Sequence, residues 1–128
     1  EAAVNYARQR IQFGHPIISL PVVQNMLADM AIEVEAARAL IYAVAKTIDS
    51  GAKSFTEEAA MAKVFASDIA MKVTTEAVQI FGGVGYMRDY PVEKMMRDAK
   101  ITQIYEGTNE VLRNTIAFEL RKRRARRE

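Results

Sequence analysis

At 128 residues the chain is long enough for one domain with a buried core, and short for a protein that must enclose both a large cofactor and a substrate unaided. It has no Cys and a single His, His15, which excludes disulfides, thiolate metal centres and imidazole clusters and leaves carboxylates or a cofactor to carry any chemistry. The formal charge of +2 misleads: the terminal RKRRARRE, residues 121–128, holds six of the 18 basic residues, and the rest sets 12 basic against 15 acidic, so the body has no basic stripe for nucleic acid.

Half of the residues are hydrophobic, with three Pro and six Gly, which favours a helical globular domain. The opening EAAVNYARQRIQ reads as the last turns of a helix, with Val4, Ala7 and Ile11 on one face and no cap before it, as if cut from something longer. FGHPIISLP carries one Gly and two Pro and is expected as a loop, with Pro21 in the first position of the next helix. From Pro21 to about Ser50, Val23, Met26, Met30, Val34, Ile41 and Ile48 recur at helical steps, predicting an amphipathic helix roughly 45 Å long.

SFTE offers a capping box, Ser54 with Glu57, and opens a second long helix. Met61, Phe65, Ile69 and Val73 line one side of it and Val64, Met71 and Val78 others, so it should be the most enclosed element. It stops at GGVGY, where three glycines in four residues permit close approach of a ligand or another stretch of chain. Pro91 restarts a shorter helix through PVEKMMRDAKITQI, YEGTN breaks it, and EVLRNTIAFEL resumes with Leu112, Ile116 and Leu120 aligned. No segment alternates as a strand, no apolar run approaches membrane-spanning length, and there is no cleavable leader, so the expectation is an intracellular, soluble, all-α, up-down helical bundle over residues 1–128 with a basic tail at 121–128.

Two features invite chemistry. GGVG lacks the strand and the Gly-x-Gly-x-x-Gly spacing of a dinucleotide fingerprint, and on composition alone it is a helix C-cap with a mobile turn. Glu106, between Tyr105 and Gly107 at a break between helices, admits two readings. It places negative charge near a helix start that Thr108 and Asn109 can cap, or it is a positioned general base whose basicity an apolar pocket beside Tyr105 would raise. Spacing alone leaves both open.

Taken together, QIFGGVGYMRDYPVEKMMRDAKITQIYEGTNEVLR, residues 79–113, closely resembles the C-terminal signature of the acyl-CoA dehydrogenases, flavoenzymes that desaturate acyl-CoA thioesters. Gln79, Gly82, Gly83, Gly85, Tyr86, Asp89, Lys94 and Asp98 stand at that family's intervals, and RQRIQFG matches its Arg-x-x-Phe-Gly element. The resemblance covers all but the RKRRARRE end and implies the family's C-terminal helical domain, of the butyryl or short-chain type, without the N-terminal helical and middle β domains.

By this resemblance Glu106 would be the catalytic base that takes the α-proton of the thioester while a β-hydride passes to flavin, giving a trans-2-enoyl-CoA. Tyr105 and Gly107 would line the substrate. Arg10, Gln12, Phe13, Gln24, Gln79, Gly82 and Gly83 would contact FAD, largely that of a neighbouring subunit, and Thr108 and Glu110 would lie near the subunit's own flavin. Gln12 stands where relatives often carry a small hydroxyl residue. The implied partners are acyl-CoA, an electron-transferring flavoprotein and further copies of the chain in a dimer or tetramer. The implied setting is fatty acid β-oxidation in a bacterial cytoplasm or a mitochondrial matrix, with no metal. Alone, the domain is expected to be inactive. A non-catalytic helical oligomerisation module is the alternative, and binding of nucleic acid or anionic membrane through residues 121–127 a weaker one.

Overall fold

A computed structural model describes residues 1–125, with side chains to residue 122. Five α-helices carry this part of the chain: α1 (Ala2–Gln9), α2 (Pro21–Asp49), α3 (Thr56–Phe81), α4 (Val92–Thr102) and α5 (Asn109–Ala125). The long antiparallel pair follows from which side chains meet. Glu33 of α2 pairs with Lys72 of α3, and Ile48 shares a groove with Ala59, so numbers rise along one helix as they fall along the other. Around this pair the remaining elements gather on α3, which packs against each of the other four helices, as its several apolar faces require.

The main core lies at the C-terminal end of α3. Ala3 and Ala7 of α1, Ile17, Val23 of α2, Ile80 and Phe81 of α3, and Val92 are buried there together. The Tyr6 ring stacks on Phe81 at a centroid distance of 4.1 Å, and Tyr90 meets both rings edge-on. Small residues in α1 bring its backbone close to α3, and the aromatic stack fixes its position.

Several local expectations are corrected. FGHPIISLP is more ordered than a loop: β1 (Ile11–Gln12) and β2 (His15–Pro16) form a small antiparallel ladder, followed by a 3-10 turn over Ile17–Ser19. Two-residue strands are too short to show alternation, and the tip is set instead by consecutive left-handed residues, Phe13 at φ 53° and Gly14 at φ 82°. α3 begins at Thr56 with Phe55 at its N-cap and no side-chain cap hydrogen bond, so Ser54 stands one residue too early for the box with Glu57. Pro21 does open α2, whereas Pro91 is the N-cap of α4 rather than its first residue. The basic end continues α5 through Ala125, and residues 126–128 lie outside the described residues. Among the described residues, no helix is long and apolar enough to cross a membrane.

Candidate functional site

The expected site residues fall into two regions on α3. The first is a cleft at its C-terminal end. α3 stops at Gly82, in the left-handed region at φ 65°, and residues 82–86 turn tightly as a 3-10 helix. The glycines there differ in purpose. A Cβ on Gly85 would lie 2.5 Å from Phe81 Cβ and 2.9 Å from the Val78 carbonyl, so Gly85 serves close packing. Beside Gly82 and Gly83 the corresponding space is open.

That space belongs to a cleft of about 520 Å³, on which Arg10, Gln12, Gln79, Gly82 and Gly83 converge from two distant stretches of sequence. The β1–β2 hairpin brings in Arg10 and Gln12, held by the Ile17 N–H donating to the Arg10 carbonyl at 2.8 Å. Among the described residues Arg10 has no carboxylate within 4.0 Å, so its fork of donors is uncommitted. A guanidinium and two amides make a donor set that fits a pyrophosphate, and the missing side chains of Gly82 and Gly83 leave room for its approach, although the Gly82 N–H itself donates to the Val78 and Gln79 carbonyls. Phe13, 85% exposed at the hairpin tip, and Gln24, exposed on α2, do not line this cleft.

The second region is the turn between α4 and α5. The Ile101 carbonyl accepts the N–H groups of Ile104 and Tyr105 at 2.9 and 3.0 Å, ending α4. The backbone then passes through two left-handed residues, Glu106 at φ 53° and Gly107 at φ 89°. For a glutamate that conformation costs on the order of 1 kcal/mol and persists only where surrounding contacts impose it. Thr108 caps α5, its hydroxyl accepting the Val111 N–H at 3.3 Å, and the Asn109 N–H donates to the Gln103 carbonyl at 3.0 Å.

Asn109, expected as an alternative cap, is buried and turned into α3. Its Nδ2 donates to Ser67 Oγ and Asp68 Oδ1, each at 2.8 Å, and its Oδ1 accepts from Lys63 Nζ at 2.8 Å. Lys63 Nζ also donates to the Gly107 carbonyl at 2.8 Å. Asp68 completes the group, accepting from Gln103 Nε2 at 2.7 Å and pairing with Arg113 at 2.5 Å. Partial burial opposes ionisation of Asp68, but the hydrogen bonds from Gln103, Arg113 and Asn109 outweigh it and hold its carboxyl below the usual range. Glu110, exposed in the first turn of α5, is also held low, by its own backbone N–H and then by the Thr108 hydroxyl.

The carboxylate of Glu106 and the ring of Tyr105 are exposed, Tyr105 by 50%. The apolar pocket expected around Glu106 is therefore not built by this chain. α3 meets the turn through polar side chains that grip its backbone and Asn109, which leaves Tyr105 and Glu106 on the outer side. Among the described residues, no three His, Asp or Glu side chains converge as a metal site.

Residues 1–120 match the family model described as the acyl-CoA dehydrogenase C-terminal domain. The chain belongs to the acyl-CoA dehydrogenase family. It is 60% identical over 109 residues to a short-chain-specific acyl-CoA dehydrogenase of Megasphaera elsdenii, covering 85% of this chain and 28% of that protein. The solved butyryl-CoA dehydrogenase of the same organism superimposes with a TM-score of 0.90 at 55% identity, over 93% of this chain and 31% of that one. A chain from the structure of the electron transferring flavoprotein of Acidaminococcus fermentans also gives 0.90, at 57% identity and the same coverage. The chain thus spans less than a third of these relatives, and its predominantly helical bundle is that of the family's C-terminal domain.

Sequence reading missed Lys63, Ser67, Asp68 and Gln103. A signal was present: Lys63 and Ser67 stand one turn apart, with Asp68 adjacent, on a helix whose surrounding positions are mostly Ala, Val, Phe and Ile. Polar groups on the most enclosed helix of a bundle need partners, and here the partners are the turn.

Proposed function

We propose that this chain is the base-bearing domain of an FAD-dependent acyl-CoA dehydrogenase that converts acyl-CoA thioesters to trans-2-enoyl-CoA. The observation that carries the reading is Glu106, an exposed carboxylate in a left-handed turn gripped from α3. Glu106 accepts the α-proton. Because a thioester α C–H is far too weak an acid for a free carboxylate, negative charge on the thioester oxygen must be stabilised as it forms. Among the described residues no backbone carbonyl accepts the Glu106 N–H, which leaves it available to that oxygen. Gly107 keeps the approach open, and Tyr105 offers an apolar edge to the acyl chain.

FAD, when bound, supplies the acceptor for the β-hydride. Arg10, Gln12 and Gln79 would hold its pyrophosphate half at the cleft, with backbone at Gly82 and Gly83 close by, Phe13 and Gln24 at its margin, and Thr108 and Glu110 near the flavin of the same subunit. The apolar cover that Glu106 lacks here is assigned to the N-terminal helical and middle β domains that this family reading implies, so the chain alone turns over no thioester. An electron-transferring flavoprotein as acceptor, a role in fatty acid β-oxidation and a cytoplasmic or mitochondrial-matrix location complete the reading.

The test is a joined enzyme in which this chain replaces the matching segment of the Megasphaera elsdenii relative. It should retain flavin and oxidise butyryl-CoA with an artificial acceptor. Glu106→Gln should lower kcat at least 100-fold with flavin retained. An unchanged rate in that variant removes Glu106 as the base.

A second, compatible role is assembly. Ile32 and Tyr42 of α2 are 66% and 68% exposed and Ile41 44%, more apolar surface on one helix than a lone bundle needs, which supports pairing with copies of itself as a dimer or tetramer. Sedimentation should show concentration-dependent association. A strictly monomeric chain at millimolar concentration would eliminate this role.

A further inference from the structure

The Glu106 turn is clamped on both sides and free in the middle. Upstream, the Tyr105 N–H is tied to Ile101 of α4; downstream, the Gly107 carbonyl is tied to Lys63 of α3 and the Asn109 N–H to Gln103. Between those ties the backbone passes through Glu106 and Gly107, both left-handed. Gly107 adopts that region without penalty, and a side chain on it would also press on Leu112 at 3.3 Å. Glu106 does not, so its conformation is imposed by the clamps.

The chemistry of the downstream clamp is unusual. Lys63 is half-buried, yet both oxygens that accept from its ammonium, the Gly107 carbonyl and Asn109 Oδ1, are neutral, and among the described residues no carboxylate lies within 4.0 Å of it. Withdrawing an ammonium from water without an ion pair is a poor way to gain stability. Asn109, 3% exposed, has both amide hydrogens and its oxygen committed to α3, so the side chain that receives Lys63 cannot rotate away.

We propose that Lys63 and Asn109 are positioning residues that hold Glu106 in its left-handed conformation and so orient both its carboxylate and its backbone N–H. The proposal rests on the reading of Glu106 as the base. It predicts that loosening the clamp slows proton removal without weakening thioester binding, since neither side chain needs to touch the substrate.

The experiment is a double-mutant cycle in the flavin-loaded joined enzyme, using Lys63→Met, Asn109→Ala and the milder Ser67→Ala, each made with Glu106 intact and in the Glu106→Gln background. With Glu106 present, Lys63→Met and Asn109→Ala should lower kcat 10- to 100-fold and Ser67→Ala 2- to 5-fold, with KM for butyryl-CoA and flavin content unchanged. In the Glu106→Gln background the same changes should cost clearly less, because the carboxylate they position is gone and only the backbone N–H remains to be misplaced. Equal losses in both backgrounds, no loss in any of the three variants, or a loss matched by rising KM or falling flavin content would overturn the positioning role. A Glu106→Gln enzyme of normal rate would overturn it too, and by that single variant would mark the failure as that of the base reading.

Discussion

At the C-terminal end of α3 the backbone is held by apolar and aromatic packing, with Phe81 stacked on Tyr6, and the polar side chains of Arg10 and Gln79 are left uncommitted at the rim. At the level of Lys63, about 27 Å back along the helix from Phe81 at 1.5 Å per residue, the order is reversed. There the polar side chains of α3 are committed to holding backbone and Asn109, while the exposed groups are Tyr105 and Glu106. On the proposed reading, a cleft that receives a charged ligand keeps its donors free and builds its scaffold from hydrocarbon. A site that must hold a single side chain in an unfavourable conformation uses directional, charge-assisted bonds.

The contrast can be broken from either side. Arg10→Ala in the joined enzyme has the larger expected effect: losing a charge-assisted bond to a phosphate, about 1.5–3 kcal/mol, should weaken FAD binding roughly 10- to 100-fold by titration of the apoenzyme. Melting of the apoenzyme should stay the same, because the cleft is scaffolded by the aromatic stack. A parallel loss of apoenzyme stability would show that Arg10 is part of the scaffold after all.

Asp68→Asn should do the opposite, leaving FAD affinity unchanged and altering stability with pH. The carboxyl of Asp68 is held below its ordinary value of 3.8 in the folded chain, so its stabilisation is present above that value and is lost as pH falls through the lower, folded one. For a partly exposed pair the effect at pH 7 is about 0.5–1 kcal/mol. In urea unfolding the gap between the parent and Asp68→Asn should be widest above about pH 5 and close towards pH 2. A gap that widened with acid would contradict the assignment of Asp68 as an ionised anchor for Gln103, Asn109 and Arg113.

Much of the fold was legible because helices announce themselves. The stripe from Val23 to Ile48, the start at Pro21, the stop near Ser50 and the glycine break at Gly82 located the long helices, and the apolar positions around α3 marked it as the enclosed one. The ladder at Ile11–Pro16 was not legible, since two-residue strands carry no period and Phe13 is an improbable left-handed residue. Ser54 misled by one position because a capping box is a local pattern, and Phe55 is the residue at which α3 starts. In the site, the sequence presents the glycines as one cluster, whereas Gly82 and Gly83 border the cleft and Gly85 packs against Val78 and Phe81. The clamp on the Glu106 turn joins residues more than 40 positions apart, and no local pattern could have paired Lys63 with Gly107 or Ser67 with Asn109.

The central claim is that Glu106 removes a proton from the carbon next to the thioester. Acetyl-CoA isolates that step, having α-hydrogens but no β-carbon from which hydride could leave. In deuterium oxide the joined enzyme should wash deuterium into the acetyl group, followed by mass spectrometry, and Glu106→Gln should reduce the wash-in at least 100-fold. Undiminished exchange in that variant would contradict the account.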